Sequence, residues 1–408
     1  MEVGSVRLMV LVINEKAVLL LEKRTFKELL VDMELRNLQN NIVGQEASRL
    51  FARAEINMGV EAFRDSLYSL LKRNTFLNIK FENMLDTLGE ISRTDIRSLL
   101  GEWEKTTPLP FYSLGEPTLT KITNKGGEEF FVLKMLISNN SDYDGIIHMD
   151  IRKDGWWYQP LEDPRAKTKI EMPAHTSKEF VSVWEDQIRN VEINTMVSGN
   201  LPNIISQDIN NVKQERNKIV KDSIYILPES SFDLPGEIIV DNEDSTLFIL
   251  SAPPIVGLLP KWLDEVEETP FKYSGISWWR PPLQWTATTN DRYYGKYIRS
   301  AFVIKSGDGS QTATWKVPVP EVGQYDLYYH VFKDDELRWN NNLQGEYHFK
   351  VKYGSEVEDA YVNLRKANEG WEQLGSYYFD SDTVRVVLTD ECKLRSVTAD
   401  AVKIVKRY

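Results

Sequence analysis

The chain has 408 residues, a net charge of −12 and a single cysteine, Cys392. That length exceeds what one hydrophobic core usually serves and predicts two or three domains. The acidic balance, with no Lys/Arg stripe, excludes nucleic acid and disfavours an anionic membrane surface as partner; one cysteine excludes an intrachain disulfide and a thiolate metal cluster.

The first apolar run, Val6 to Leu21, is broken by Asn14, Glu15 and Lys16 and is too short to span a bilayer. With Arg7 as its only preceding base and no small-residue cleavage site after it, it does not read as a signal peptide either. Residues 1–107 then read as a helical bundle segment. Phe26, Leu29, Leu30 and Met33 form one stripe at spacings of three and four. Leu50, Phe51 and Ala54 lead to Gly59, and Val60, Phe63, Leu67, Leu70 and Leu71 form the next stripe. Phe81, Met84, Leu85 and Leu88 follow, with Asn78 as expected start and Gly89 as expected stop. Ile96, Leu99, Leu100 and Trp103 come last, after Thr94.

Thr107-Pro108-Leu109-Pro110 ends the helical regime, because proline cannot continue a helix and pushes its predecessor to extended angles. From there the period is two. Glu129 to Ile137, Gly145 to Ile151 (a hairpin-spaced neighbour), Lys178 to Trp184 and Val191 to Asn194 read as strands of a β-sandwich over residues 108–206. Residues 207–272 read as linker with short strands, the apolar runs Glu237 to Val240 and Thr246 to Leu250 among them. A second sandwich is expected over 273–408, with strands at Tyr325 to Val331 and Val384 to Leu388. The fold class is thus multidomain α plus all-β, a helical segment followed by two sandwiches.

Constellations for catalysis are missing from the sequence. His148, His175, His330 and His348 include no pair at a spacing of four, so zinc chemistry of the His-Glu-x-x-His kind has no ligands. No Gly-x-Ser-x-Gly elbow is present. Gly307-Asp308-Gly309-Ser310 lacks the lysine of a phosphate loop and reads as a hairpin turn. Asp241-Asn242-Glu243-Asp244 and Asp334-Asp335-Glu336 read as solvated acidic turns. His148 and Cys392 read as structural residues. No catalytic residue, metal ligand or cofactor is therefore assigned.

Aromatic side chains are the feature that could carry a ligand. Trp278, Trp279 and Trp285 flank Arg280-Pro281-Pro282, and Trp339 adjoins Asn340, Asn341 and Asn342. Indole stacks on the C–H faces of sugars while amides take the hydroxyls, so Trp beside Asn suits a glycan. Packing between modules is the other role open to the Trp278 group.

Two resemblances extend this reading. Tyr294-Gly295, Ala313 to Pro318, Gly323 to Tyr328, Gly370 to Gly375, Val386 to Leu388 and Ala399 to Ile404 stand in the order of the golvesin C-terminal domain. That family is similar to the carbohydrate-binding-like domain of xanthan lyases. The resemblance covers about Tyr294 to Lys406, departs from it at the insertion Lys333 to Glu346, and implies a β-sandwich appended to extracytoplasmic bacterial proteins. Over about Ile56 to Ser206, Gly59 to Arg64, Asp95 to Trp103, Pro108 to Pro110 and Asn200 to Asn203 resemble the helical tail and small sandwich that follow the zinc site of aminopeptidase-N-like metallopeptidases. It implies that the chain is the rear portion of a peptidase-like protein.

The expected function is that of a non-catalytic structural or interaction protein of the bacterial cell exterior. Its expected partner is a glycan or cell-surface polymer, or another protein such as a missing N-terminal domain. The alternatives are a carbohydrate-binding module protein and the accessory portion of a zinc aminopeptidase.

Overall fold

The computed structural model describes residues 3–75, 77–100, 105–153, 159–209, 211–216, 220–228, 236–251, 271–277, 280–333 and 345–407, with residues 3–12, 100 and 160 as backbone alone. The chain divides into two compact units, Ile13–Phe232 and Met1–Val12 with Asp233–Tyr408.

Six α-helices open the chain: α1 (Val3–Lys23), α2 (Phe26–Val31), α3 (Gln39–Met58), α4 (Val60–Arg73), α5 (Phe81–Ser92) and α6 (Ile96–Leu100). Thr25 starts α2 with a reciprocal capping box to Glu28. Gly59, at φ 84, separates α3 from α4 at an angle only glycine takes without strain. The expected stop at Gly89 is not used. Helix α5 runs on to Ser92, and Arg93 in the left-handed region closes it while Thr94 N donates to Gly89 O at 3.3 Å. The start also moves, from Asn78 to Lys80. Nor is the expected α4 stripe buried throughout. Phe63 and Leu70 enter a core with Leu50, Leu85, Leu88 and Ile96, whereas Val60 and Leu71 are exposed. No helix among the described residues is long and apolar enough to cross a membrane.

The first sandwich follows in the same unit. Its strands are β1 (Tyr112–Leu114), β2 (Thr118–Thr123), β3 (Glu129–Asn139), β4 (Gly145–Lys153), β5 (Gln159–Pro160), β6 (Lys167–Met172), β7 (Thr176–Trp184), β8 (Ile188–Asn194), β9 (Ile204–Asp208), β10 (Val212–Arg216) and β11 (Ser223–Pro228). One sheet runs β10-β2-β3-β7-β11 with β1 also on β3; the other runs β5-β4-β8-β9 with β6 on β4. The hairpin expected between β3 and β4 is absent, since the chain crosses between sheets there. Asn139 Nδ2 secures the crossing by donating to Tyr143 O and Met172 O, both at 2.8 Å. Leu133, Met135, Ile147, Met149, Val191 and Ile193 meet in the core.

Helices and sandwich share this unit rather than standing apart: Ala52 of α3 packs with Ile146 and Met196, and Glu55 pairs with Lys169. The span expected as linker with short strands holds short strands of that kind. β10 lies parallel to β2, and β11 pairs antiparallel with β7.

The second unit holds β12 (Glu237–Val240), β13 (Phe248–Leu250), β14 (Thr286–Thr289), β15 (Ser300–Lys305), β16 (Thr312–Pro318), β17 (Gly323–Val331), β18 (Glu346–Tyr353), β19 (Glu356–Asn363), β20 (Gly370–Phe379), β21 (Thr383–Thr389), β22 (Ser396–Ala399) and β23 (Val402–Lys406). A four-stranded sheet β12-β23-β17-β20 and a five-stranded sheet β13-β16-β21-β18-β19 enclose the core, with β14-β15-β22 as a third sheet. Trp315, Tyr325, Tyr329, Phe349 and Phe379 are all fully buried in the core they share. Truncating Trp315 alone should cost about 3–5 kcal/mol. The turn at Gly307 to Ser310 joins β15 and β16, which do not pair, so it is not the expected hairpin. There Gly307 lies against the Asp390 carboxylate, where a Cβ would come within 2.0 Å of Oδ2.

Candidate binding face

The four-stranded sheet of the second unit alternates strictly along β17. Tyr325, Leu327, Tyr329 and Val331 point into the core, so Gln324, Asp326, Tyr328 and His330 face outward. Register then fixes their neighbours. His330 lies opposite Trp371 of β20, Tyr328 opposite Gln373 and Lys403, and Asp326 opposite Ser376.

A loop from the third sheet brings Tyr294 over this face. Its ring centroid is 5.1 Å from that of Trp371 and 5.8 Å from that of His330, and the His330 and Trp371 rings meet edge to face at 5.1 Å. All three residues are partly exposed. Gly295 shapes the loop with φ 154, and a Cβ there would stand 1.9 Å from Ile298 O.

Asp400 anchors the cluster from below. It is fully buried, its Oδ2 lies 2.8 Å from His330 Nδ1, and both its oxygens accept from Tyr294 N at 3.2 Å. Its carbonyl accepts from the buried Trp315 indole at 3.2 Å. Burial pushes the Asp400 carboxyl up, against the opposing charge and hydrogen bond of His330.

Asp241, at the end of β12, is enclosed nearby, and burial followed by the Asp400 charge pushes its carboxyl well above the usual range. Asn242 is buried and hydrogen-bonded to Ser300 Oγ at 2.7 Å; Glu243 takes Tyr273 Oη at 3.1 Å and Lys272 Nζ at 2.7 Å. The sequence expectation of a solvated turn at Asp241 to Asp244 is thus corrected: β12 pairs with β23 and draws the turn into the fold.

Along the same face runs a polar row. Asp326 accepts from Gln373 Nε2 at 3.0 Å, from Ser376 Oγ at 2.5 Å and from Arg407 Nε at 2.8 Å. Lys403 Nζ sits 4.8 Å from the Trp371 ring centroid and 5.3 Å from that of Tyr328, and 2.9 Å from Glu237 Oε1. Rings, amide, hydroxyl and charged pairs side by side make a surface that can stack a ring and hydrogen-bond its substituents. His330 and Asp400 have the base half of a proton relay, but no hydroxyl or thiol hydrogen-bonds His330 among the described residues. Nor, among them, do three His, Cys, Asp or Glu side chains gather to hold a metal ion.

Residues 281–406 match the family model of the golvesin C-terminal domain. This golvesin-like sandwich therefore contains the whole aromatic cluster, Tyr294, His330, Trp371 and Asp400. Among curated proteins none matches the chain. A Bacteroides uniformis β-glucuronidase structure is similar at 12% identity, covering 78% of this chain and 32% of that one, with a TM-score of 0.21. Murine APRIL is similar at 13% identity over 31% of this chain and 95% of that one, with a TM-score of 0.16. This chain spans about a third of the length of the β-glucuronidase.

Trp278, Trp279, Trp339, Asn340, Asn341 and Asn342, the ligand residues expected from sequence, lie outside the described residues, as do Asp334, Asp335 and Glu336. Trp285 packs against the golvesin-like core. His148 is half-buried on β4, where desolvation pulls its imidazole down, and burial pushes the Cys392 thiol up. Tyr294 and Trp371 stood in the golvesin motifs without being singled out as ligand residues. Outward alternation along β17 was the signal that could have found His330.

Proposed function

We propose that this is a non-catalytic binding protein of the bacterial cell exterior, whose golvesin-like sandwich holds a glycan or cell-surface polymer on the outer face of its four-stranded sheet. One observation supports the reading above others: three partly exposed rings, Tyr294, His330 and Trp371, lie within 6 Å of one another, two of their residues tied to a fully buried carboxylate and the third set opposite His330 by strand register. Rings held in place by backbone and buried side chains lose little freedom on binding, which favours stacking against a sugar. The match to the golvesin C-terminal domain, a family that resembles the carbohydrate-binding-like domain of xanthan lyases, supports the reading. The helices and the first sandwich serve in this reading as the structural part of the molecule.

A glycan array tests it, with wild type, Trp371→Ala, and Tyr361→Ala on the opposite sheet as control. Binding by wild type and control, lost in Trp371→Ala, supports the proposal. Equal binding by all three would remove this face as the site, and an array with no signal would remove the glycan. Fractionation of the source cells reads the location, and a purely cytoplasmic pool would overturn that part.

A further inference from the structure

We propose that the ligand of this face is an electrically neutral saccharide, neither a uronate or sulfated polymer nor a cationic amino sugar; the inference rests on the binding role proposed above. It comes from how the charges on the face are already committed.

Three bases on and around this face, Lys403, Arg407 and Arg292, are already committed to carboxylates. Lys403 pairs with Glu237 at 2.9 Å, Arg407 with Asp326 at 2.8 Å and Arg292 with Glu369 at 2.9 Å. Arg292 also stacks over Phe332, its guanidinium carbon 4.5 Å from the ring centroid. An incoming carboxylate or sulfate would have to displace one of these acids, and would gain one pair only by breaking another. Asp400 lies beneath the rings, bonded to His330 and to Tyr294 N, and the whole chain carries a net charge of −12, so an anionic polymer meets an unfavourable field as well.

A cation is excluded by a different group. Trp371 and Tyr328 already carry the Lys403 ammonium on their faces. A second positive charge on that aromatic surface would be repelled at short range, where the first gains its cation–π attraction. What the face offers without rearrangement is ring surface, amide, hydroxyl and ion-paired acceptors. Those groups suit a sugar with hydroxyls and no net charge.

Affinity electrophoresis of the full chain tests this against mannan and a β-glucan as neutral polymers, polygalacturonate and alginate as polyuronates, and chitosan as the cationic one, at low and high salt. Neutral polymers should retard wild type, with apparent affinity changing about twofold or less between the two salt levels, because no net charge is exchanged. Glu237→Gln frees Lys403 and should gain affinity for polygalacturonate that high salt removes. Tighter wild-type retention by a polyuronate or by chitosan, lost in Trp371→Ala, would overturn neutrality while leaving the binding role intact. Retardation by none of the five would overturn both.

Discussion

His330 Nδ1 lies 2.8 Å from a carboxylate, that of Asp400, which water does not reach. That bond joins β17 to the residue directly after β22, while Tyr294 N reaches the same carboxylate from the loop between β14 and β15. Asp400→Ala removes the acceptor of two donors at once, His330 Nδ1 and Tyr294 N, and should lower stability by about 3 kcal/mol. Asp400→Asn keeps part of the hydrogen bonding and should cost less. Urea unfolding followed by tryptophan fluorescence reads both, and equal losses for the two variants would show that shape rather than the acceptor matters.

The turn carrying Asp241 gives a pH effect of unusual sign. Burial, then the neighbouring Asp400 charge, raises its folded-state carboxyl above its unfolded value. The folded chain then binds the proton more tightly than the unfolded one, so this group destabilises the fold above the raised value. The penalty fades as pH falls towards the unfolded value of about 4. Asp241→Asn should therefore be more stable than wild type at neutral pH, with the difference shrinking on acidification. Paired carboxylates such as Asp326 and Asp163, held low by Arg407 and Arg165, act oppositely in both proteins and cancel in the comparison. A difference that stays constant with pH would show that Asp241 titrates normally.

How far the sequence carries depends on whether a neighbour in the chain decides the outcome. Thr25 with Glu28, Gly59 and the two prolines around Leu109 act locally, and the helical segment with its end was readable from them. The alternation of Tyr325, Leu327 and Tyr329 marked β17 in the same way. Gly89 failed as a stop because Arg93, four residues later, could take the left-handed cap, a choice that residue type does not disclose. The β3–β4 hairpin failed because Asn139 bonds across to Met172, far along the chain. The aromatic cluster was illegible for the same reason. Tyr294, His330, Trp371 and Asp400 come from four separate elements, and only the register between β17 and β20 brings two of them face to face.

Gly295 tests whether the loop geometry matters. A methyl group there would collide with backbone at Ile298, and φ 154 already disfavours any side chain. Gly295→Ala should cost roughly 2 kcal/mol or more. It should also weaken glycan retention, because Tyr294 is displaced from Trp371. Thermal unfolding and the glycan array read the two effects separately. Normal retention in a destabilised Gly295→Ala would show that Tyr294 is dispensable for binding.

Asn200 plays a similar pinning role in the first sandwich. Tyr112 N donates to Asn200 Oδ1 at 2.9 Å and Asn200 Nδ2 donates to Tyr112 O at 2.8 Å, both bonds fully buried. Asn200→Ala leaves the Tyr112 peptide unpaired at both ends, at a cost of about 2 kcal/mol or more. Asn200→Asp restores the acceptor alone and should recover only part of that loss. Chemical unfolding of the three proteins decides it, and a neutral Asn200→Ala would show that water replaces both bonds.

Strand β11 invites an opposite test, in which a substitution should cost nothing. Among the described residues it pairs with β7 on one side only, and it exposes Ile224, Tyr225, Ile226 and Leu227 in succession, with Ile226 at 73% exposure. An apolar strand at a sheet edge is a template for pairing with another chain, and a charge placed on it blocks that pairing. Ile226→Lys should therefore leave stability within about 0.5 kcal/mol of wild type. It should also lower any concentration-dependent association seen by light scattering. Two outcomes of the pair of measurements are informative. Unchanged stability with reduced association fits an open edge, whereas a loss of about 2 kcal/mol or more would mean that Ile226 is covered in solution and that the strand is not free.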